Sequence, residues 1–451
     1  MRPSLALLFL LTLSFPSFAQ NGPPPHVRAA IQSVERMIDG SGDDTLQAFA
    51  AERLAPAYRS SFTPEALLAH LRKMREAVGG SIGAVSVERD PDGLRLQISG
   101  MKEATFRVVI DPTGLISKLD LMETPAEPPS PEAAIWASTT WESLASDFKR
   151  AEDAGFSGVA LLKHDGKEVL RQTYGLADRS SGRRTGADTI YCIGSTPIDF
   201  TVTGIMLLGQ RGKLALDDPI TKFFPDAPTD KREITVRQLL TGKSGLPNFH
   251  HLPTDWDADL GWVDRGTAVK RILAQPLLFK PGEGQAHSHS AFGLLAAVIE
   301  VLSGETYPSF VRKEILKPLG MGRTGFYGES LGLPASEFAV GYGDSTVGVP
   351  NIPPNWGPTS WLVMGSGGMF STLQDMDRYY AATASGKLLT GQWAKWQQRE
   401  EVGVGGSDRG YFIFHATNGK GDEALFLMNG EGRAPATRAM TRRLQALVMG
   451  R

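Results

Sequence analysis

Cysteine is nearly absent. The 451 residues hold a single one, Cys192, so no internal disulfide can form. A lone thiol three positions ahead of a serine reads as a small buried packing residue rather than a reactive group. Charge of one sign is lacking too. Forty-seven basic side chains against 49 acidic ones leave a net charge of −2. That excludes a basic face for nucleic acid, and no polybasic run marks an anionic membrane surface. Beyond the first twenty residues no apolar run approaches the roughly eighteen that a membrane span needs, so no span is expected. An apolar fraction of 41% with 21% charged residues is ordinary for a soluble folded chain, and its length calls for two domains.

What is present starts with a leader. Arg2 precedes an apolar run from Leu5 to Phe15, and Ser17-Phe18-Ala19 supplies a small-x-small cleavage site. Residues 1–19 are therefore expected to be a secretory signal peptide, sending the chain to the periplasm or outside the cell. Residues 20–123 read as a small α+β domain. Val27, Ile31, Val34 and Ile38 form one helical stripe, and Thr63-Pro64-Glu65 opens a second helix through Leu67, Leu71 and Met74. Alternating runs at 82–87, 94–98, 106–110 and 115–121 then predict an antiparallel meander. That element order is similar to the cone-shaped modules of the nuclear transport factor and cystatin type. The proline-rich stretch 124–134 is a linker, and 135–451 forms the second domain. It opens with a helix near 141–154 and a hairpin turning at Asp165-Gly166.

The second domain is organised around Tyr191-Cys192-Ile193-Gly194-Ser195-Thr196-Pro197-Ile198-Asp199-Phe200. Ile198, Val202, Ile205 and Leu208 recur at helical spacing with Gly212 as a cap, which predicts a buried helix with Ser195 in its first turn. Helix-start amides favour an oxyanion there. This segment resembles the Ile-Gly-Ser-x-x-Lys-x-Phe-Thr signature of the serine β-lactamase and penicillin-binding protein family, in its class C-like esterase and peptidase branch. Further matches follow in order: Leu216-Asp217-Asp218-Pro219, Ile234 to Thr241, Ser244-Gly245-Leu246-Pro247, Pro281-Gly282, Pro318-Leu319-Gly320-Met321 and Gly365 to Thr372 with Asp375. The resemblance implies an α+β, β-lactamase/transpeptidase-like domain: one antiparallel sheet built from both ends of the domain, a helical middle, and a cleft between them. It also implies a serine nucleophile, a lysine one turn later that helps remove its proton, a Tyr-x-Asn motif opposite, and a third Lys-Thr-Gly or His-x-Gly motif on the strand bordering the cleft.

The serine remains, but the groups that would activate it do not. The lysine position is Ile198, the tyrosine and asparagine positions are His287 and His289, and the third motif falls on Val404-Gly405-Gly406, so its cation is Val404. His415 lies too near the chain end to take that place. Asp199 is turned about 100° from the lysine position and is no substitute. Backbone donors at Ser195 and Ser407 could still hold an oxyanion. Three functional readings follow. In the first, catalysis is impaired and the old cleft binds a peptide, a peptidoglycan fragment or a small ester or amide, with the Ser195 hydroxyl serving as a helix cap toward Ile198 or Asp199. In the second, the chain is an active serine hydrolase with His287 or Lys243 as the base. In the third, His287 and His289 bind a metal with His250 or His251 opposite. No cofactor is called for.

Overall fold

The structure, a computed structural model, describes residues 24–39, 42–79, 84–90, 93–99, 103–122, 130–249, 261–343, 347–396, 402–430 and 435–450. The leader 1–19, linker residues 124–129, and His250 and His251 lie outside the described residues.

In the first part of the chain, helices Pro25–Asp39, Asp43–Arg53 and Pro64–Val78 precede strands Ala84–Asp90, Gly93–Ser99, Glu103–Ile110 and Ile116–Met122. The strands pair in chain order, each antiparallel to the last. Local chemistry sets the limits of the helix Pro64–Val78. Thr63 accepts the Ala66 N–H, Pro64 occupies the first turn where its missing donor is not needed, and Gly79 closes the end in a left-handed conformation. Its Leu67, Leu71 and Met74 meet Ile31, Val34 and Ile38 of the first helix and Leu96, Ile98, Phe106 and Val108 of the sheet in one apolar core.

The second part is built on a five-stranded antiparallel sheet. Its spatial order is Val402–Asp408, Tyr411–Thr417, Glu423–Met428, Gly158–His164 and Lys167–Tyr174. Strands from the two ends of the domain thus lie side by side in the middle, and the period-two alternation of side chains feeds two separate cores. Val159, Leu161, Ile413, Leu425 and Leu427 face the helical middle. Ala160, Leu162, Phe414, Ala424 and Phe426 face the helices Leu144–Asp153 and Pro435–Val448. Burial on both faces explains why these strands read as continuous apolar runs.

No single helix among the described residues is long and apolar enough to cross a membrane. A bent pair, His289–Ser303 with Tyr307–Leu319, has the composition to do so, but Leu294 to Ile299 are core residues at 0% exposure.

Under the helical face of the sheet lies a charged cluster. Lys163 Nζ contacts Asp377 at 2.7 Å and Glu423 at 2.8 Å, Glu423 accepts from His415 at 3.0 Å, and the His415 ring stacks on Tyr380. Burial alone would push the Glu423 carboxyl up, but His415 and Lys163 overcome it and bring it from 4.5 down to about 2. The folded chain therefore binds this proton less tightly than the unfolded chain does. The stabilisation is complete above about pH 4.5 and is lost as pH falls toward 2. Glu423→Gln should cost on the order of 3 kcal/mol at pH 7 and nearly nothing at pH 2. Urea unfolding at both pH values checks this, and equal losses at both would refute the assignment.

Candidate functional site

Ser195 sits in a tight turn between the short strand Tyr191–Cys192 and the helix Pro197–Gln210. The strand is anchored by pairing with Met369–Ser371, and Ile193 N–H donates to Met369 O at 3.1 Å. The helix starts two residues after Ser195 because Pro197 takes its first turn. This corrects the expectation of a first-turn serine. It also removes the capping role. Ile198 N–H donates to the backbone oxygen of Ser195 at 3.2 Å, and Asp199 N–H donates to the backbone oxygen of Thr196 at 2.9 Å. The half-buried Ser195 hydroxyl makes no hydrogen bond with any described residue.

The edge strand Val402–Asp408 comes up against this turn. Two glycines permit it. A Cβ on Gly194 would lie 2.5 Å from Gly406 C and from Ser407 N, and one on Gly406 would lie 2.7 Å from Ser195 N. Gly194 also adopts φ +49°, which side chains disfavour.

Strand pairing fixes the direction of the Ser407 N–H. Asp408 and Tyr411 flank the two-residue turn Arg409-Gly410, with φ +46° and +83°, so they form the bonded closing pair of a type I′ hairpin. In antiparallel pairing the neighbouring pair, Ser407 with Phe412, turns its polar groups outward. This strand is the sheet edge, so the Ser407 N–H points away from the sheet, on the side where Gly194 and Ser195 lie. Ser195 N–H also makes no backbone hydrogen bond with a described residue. Two unspent donors thus converge beside a free hydroxyl at a helix start, an arrangement that can hold a developing oxyanion.

The other predicted positions are as follows. Ile198 is half-buried and packs against the core. Asp199 faces away and lines a cavity of about 890 Å³ with Lys163, Tyr380 and His415. The backbone of Val404 pairs with His415, its side chain lying outside the described residues. His415 is thus on the neighbouring strand and does not occupy the third-motif position.

His287 precedes, and His289 opens, the helix His289–Ser303, which Ser288 caps by accepting the Ala291 N–H. This helix runs parallel to Pro197–Gln210. Thr201 bonds Gly365, which abuts Phe292 and Ala296, while Gly204 one turn on abuts Ile299. Both N-termini, and hence Ser195 and the two histidines, lie at one end of the helix pair. The rings of His287 and His289 meet edge to face at 4.9 Å. Burial holds the His287 imidazole below the usual histidine range, so it is neutral at pH 7.

Lys243 is exposed. Its N–H bonds Gln238 and its carbonyl accepts from Gly282, which ties the backbone of its loop to the segment leading to His287 and leaves its ammonium group on the surface. Among the described residues the group of metal-ligand type is His164, Asp165 and Asp422, at sheet turns and separate from the cleft histidines.

The sequence pattern of the Beta-lactamase family matches residues 144–440. The chain belongs to that family. It is 31% identical over 242 residues to the putative penicillin-binding protein PbpX of Bacillus subtilis (strain 168), covering 53% of this chain and 58% of that protein. It is 28% identical over 287 residues to esterase EstB of Burkholderia gladioli, covering 56% and 72%. Among solved structures, the penicillin-binding protein homologue from Pyrococcus abyssi superposes with a TM-score of 0.55 at 24% identity, covering 69% of this chain and 77% of that one. The family belongs to the β-lactamase and penicillin-binding protein superfamily of serine hydrolases, and the chain has its α+β fold of antiparallel sheet and helical subdomain.

Residues missed in the sequence are Tyr327 and Asp408, which flank this turn. The signal for Asp408 was available: Asp-Arg-Gly between alternating runs is a hairpin turn, and it fixes the register of the edge strand.

Proposed function

We propose that this family member keeps the ligand cleft and the oxyanion donors but has lost efficient acylation. In this reading it binds a cell-envelope ligand: a peptide, a peptidoglycan fragment, or a small ester or amide. The carrying observation is a free Ser195 hydroxyl beside two unspent amides, with a half-buried aliphatic side chain at 198 packed against the core. A missing base or acid costs on the order of 10² to 10⁴ in rate, whereas backbone donors need no side chain and persist. The likeness to a putative penicillin-binding protein and the leader expected over residues 1–19 support a cell-envelope role and a periplasmic or secreted location.

The test is labelling of the mature protein with a fluorescent penicillin and a fluorophosphonate, alongside calorimetry with a disaccharide-peptide fragment of peptidoglycan. The expected result is fragment binding retained in Ser195→Ala, with negligible labelling of the unaltered protein. Stoichiometric labelling of Ser195 within minutes would overturn it.

One observation favours a second reading, an active hydrolase. His287 is held neutral, the form a general base requires. That reading requires p-nitrophenyl ester turnover abolished by Ser195→Ala and strongly reduced by His287→Ala, and equal activity in all three proteins would end it.

A further inference from the structure

The turn carrying Ser195 and the strand carrying Ser407 are joined by more than the contact of two glycines. Gly194 N–H donates to Cys192 Sγ at 3.4 Å, Cys192 Sγ lies 2.8 Å from Tyr327 Oη, and Tyr327 Oη donates to Asp408 Oδ2 at 2.7 Å. The phenol has one proton. Since that proton goes to a carboxylate, the thiol must donate to the phenol oxygen. Burial pushes both the Cys192 thiol and the Tyr327 phenol up, so both keep their protons.

The donors run in one direction, from Gly194 through sulfur and phenol to Asp408. The first residue of the relay immediately precedes Ser195, and the last immediately follows Ser407. The bridge is itself braced. Tyr327 N–H bonds Gly368 O at 3.0 Å, its ring meets Trp356 edge to face, and the Arg409 guanidinium lies 4.8 Å over Trp356 and 3.8 Å from Asp408. Cys192 and Tyr327 are nearly fully buried, at 0% and 5% exposure.

We propose that Tyr327, with Cys192 and Asp408, is a positioning device that sets the distance between the Ser195 and Ser407 amides by hydrogen-bonding to both segments at once. The proposal deepens the cleft reading above and rests on those two amides forming one anion site. None of the three side chains needs to touch a ligand. Each acts through the backbone of its neighbour, so the reading differs from that of a general acid or base.

The test is amide hydrogen exchange in the full-length protein, comparing residues 193–196 and 405–408 with the inner strand Gly158–His164. Tyr327→Phe removes only the hydroxyl. It should speed exchange by about tenfold in both segments together, the loss of one hydrogen bond of ordinary net strength, and leave the inner strand unchanged. Tyr327→Phe/Asp408→Asn should go no further than either single change, because both cut the same chain. Cys192→Ser, which keeps a donor, should change exchange less than Cys192→Ala.

Faster exchange in one segment only, additive effects in the double variant, or equal behaviour of Cys192→Ser and Cys192→Ala would overturn the proposal. These readouts need no acylation. A failure of the cleft reading would instead appear as stoichiometric labelling of Ser195, or as no binding of the peptidoglycan fragment, with the exchange coupling intact.

Discussion

Ile198→Lys combined with His287→Tyr and His289→Asn should raise the rate at which a fluorescent penicillin labels Ser195 by at least about 10²-fold. The expectation follows from what the structure keeps. The hydroxyl is not consumed as a cap, both amides beside it are unspent, and position 198 follows it by three residues, in the first turn of the helix. The aliphatic side chain at 198 is only half-buried, so an amine there could reach toward the hydroxyl without abandoning a sealed core site. Groups that act as a unit do not contribute additively. Ile198→Lys alone should therefore recover far less than the triple change. Gel fluorescence after timed labelling reads this directly. A triple variant that folds, by its melting curve, yet labels no faster than the unaltered protein would mean that the cleft has been rebuilt rather than disarmed.

Gly194→Ala should abolish binding of a peptidoglycan fragment and cost about 3 kcal/mol or more of stability. Two terms add. The left-handed conformation at φ +49° costs a side chain roughly 1 kcal/mol, and the new methyl group would sit 2.5 Å from backbone atoms of Gly406 and Ser407. Backbone cannot swing aside as a side chain can, so the edge strand itself must retreat. Gly212→Ala is the control. That glycine is also left-handed, at φ +69°, but nothing lies within 4 Å of its would-be Cβ, so it should lose only the conformational term. If thermal melts show equal losses for the two variants, the close approach of turn and strand is wrong, and the paired-amide site fails with it.

Much of the framework was legible because it rests on short-range patterns. The four meander strands in the first part of the chain lie within three residues of their expected limits, since turn signals such as Asp92-Gly93 and Asp111 to Gly114 interrupt period-two runs. The helix after Ser195 was visible in its spacing. Its start was not, because a proline at the first turn and a left-handed glycine ahead of it moved the serine out of the helix. Asp199 faces away from Ile198, as a step of about 100° requires. The Ser195 cap was the natural local inference, and it failed because the chain used a backbone oxygen where a hydroxyl would have served.

What the sequence determined by itself is the inventory: a retained serine, the residues standing in place of its usual partners, and the family they belong to, since motif order along a chain needs no coordinates. Only the tertiary structure decided which groups converge. Residues 194 and 406 meet across more than two hundred intervening positions, and Cys192, Tyr327 and Asp408 come from three separate segments of the chain. Contacts of that kind depend on how sheet and helices pack, and packing is a property of the whole core that no local run of residues encodes.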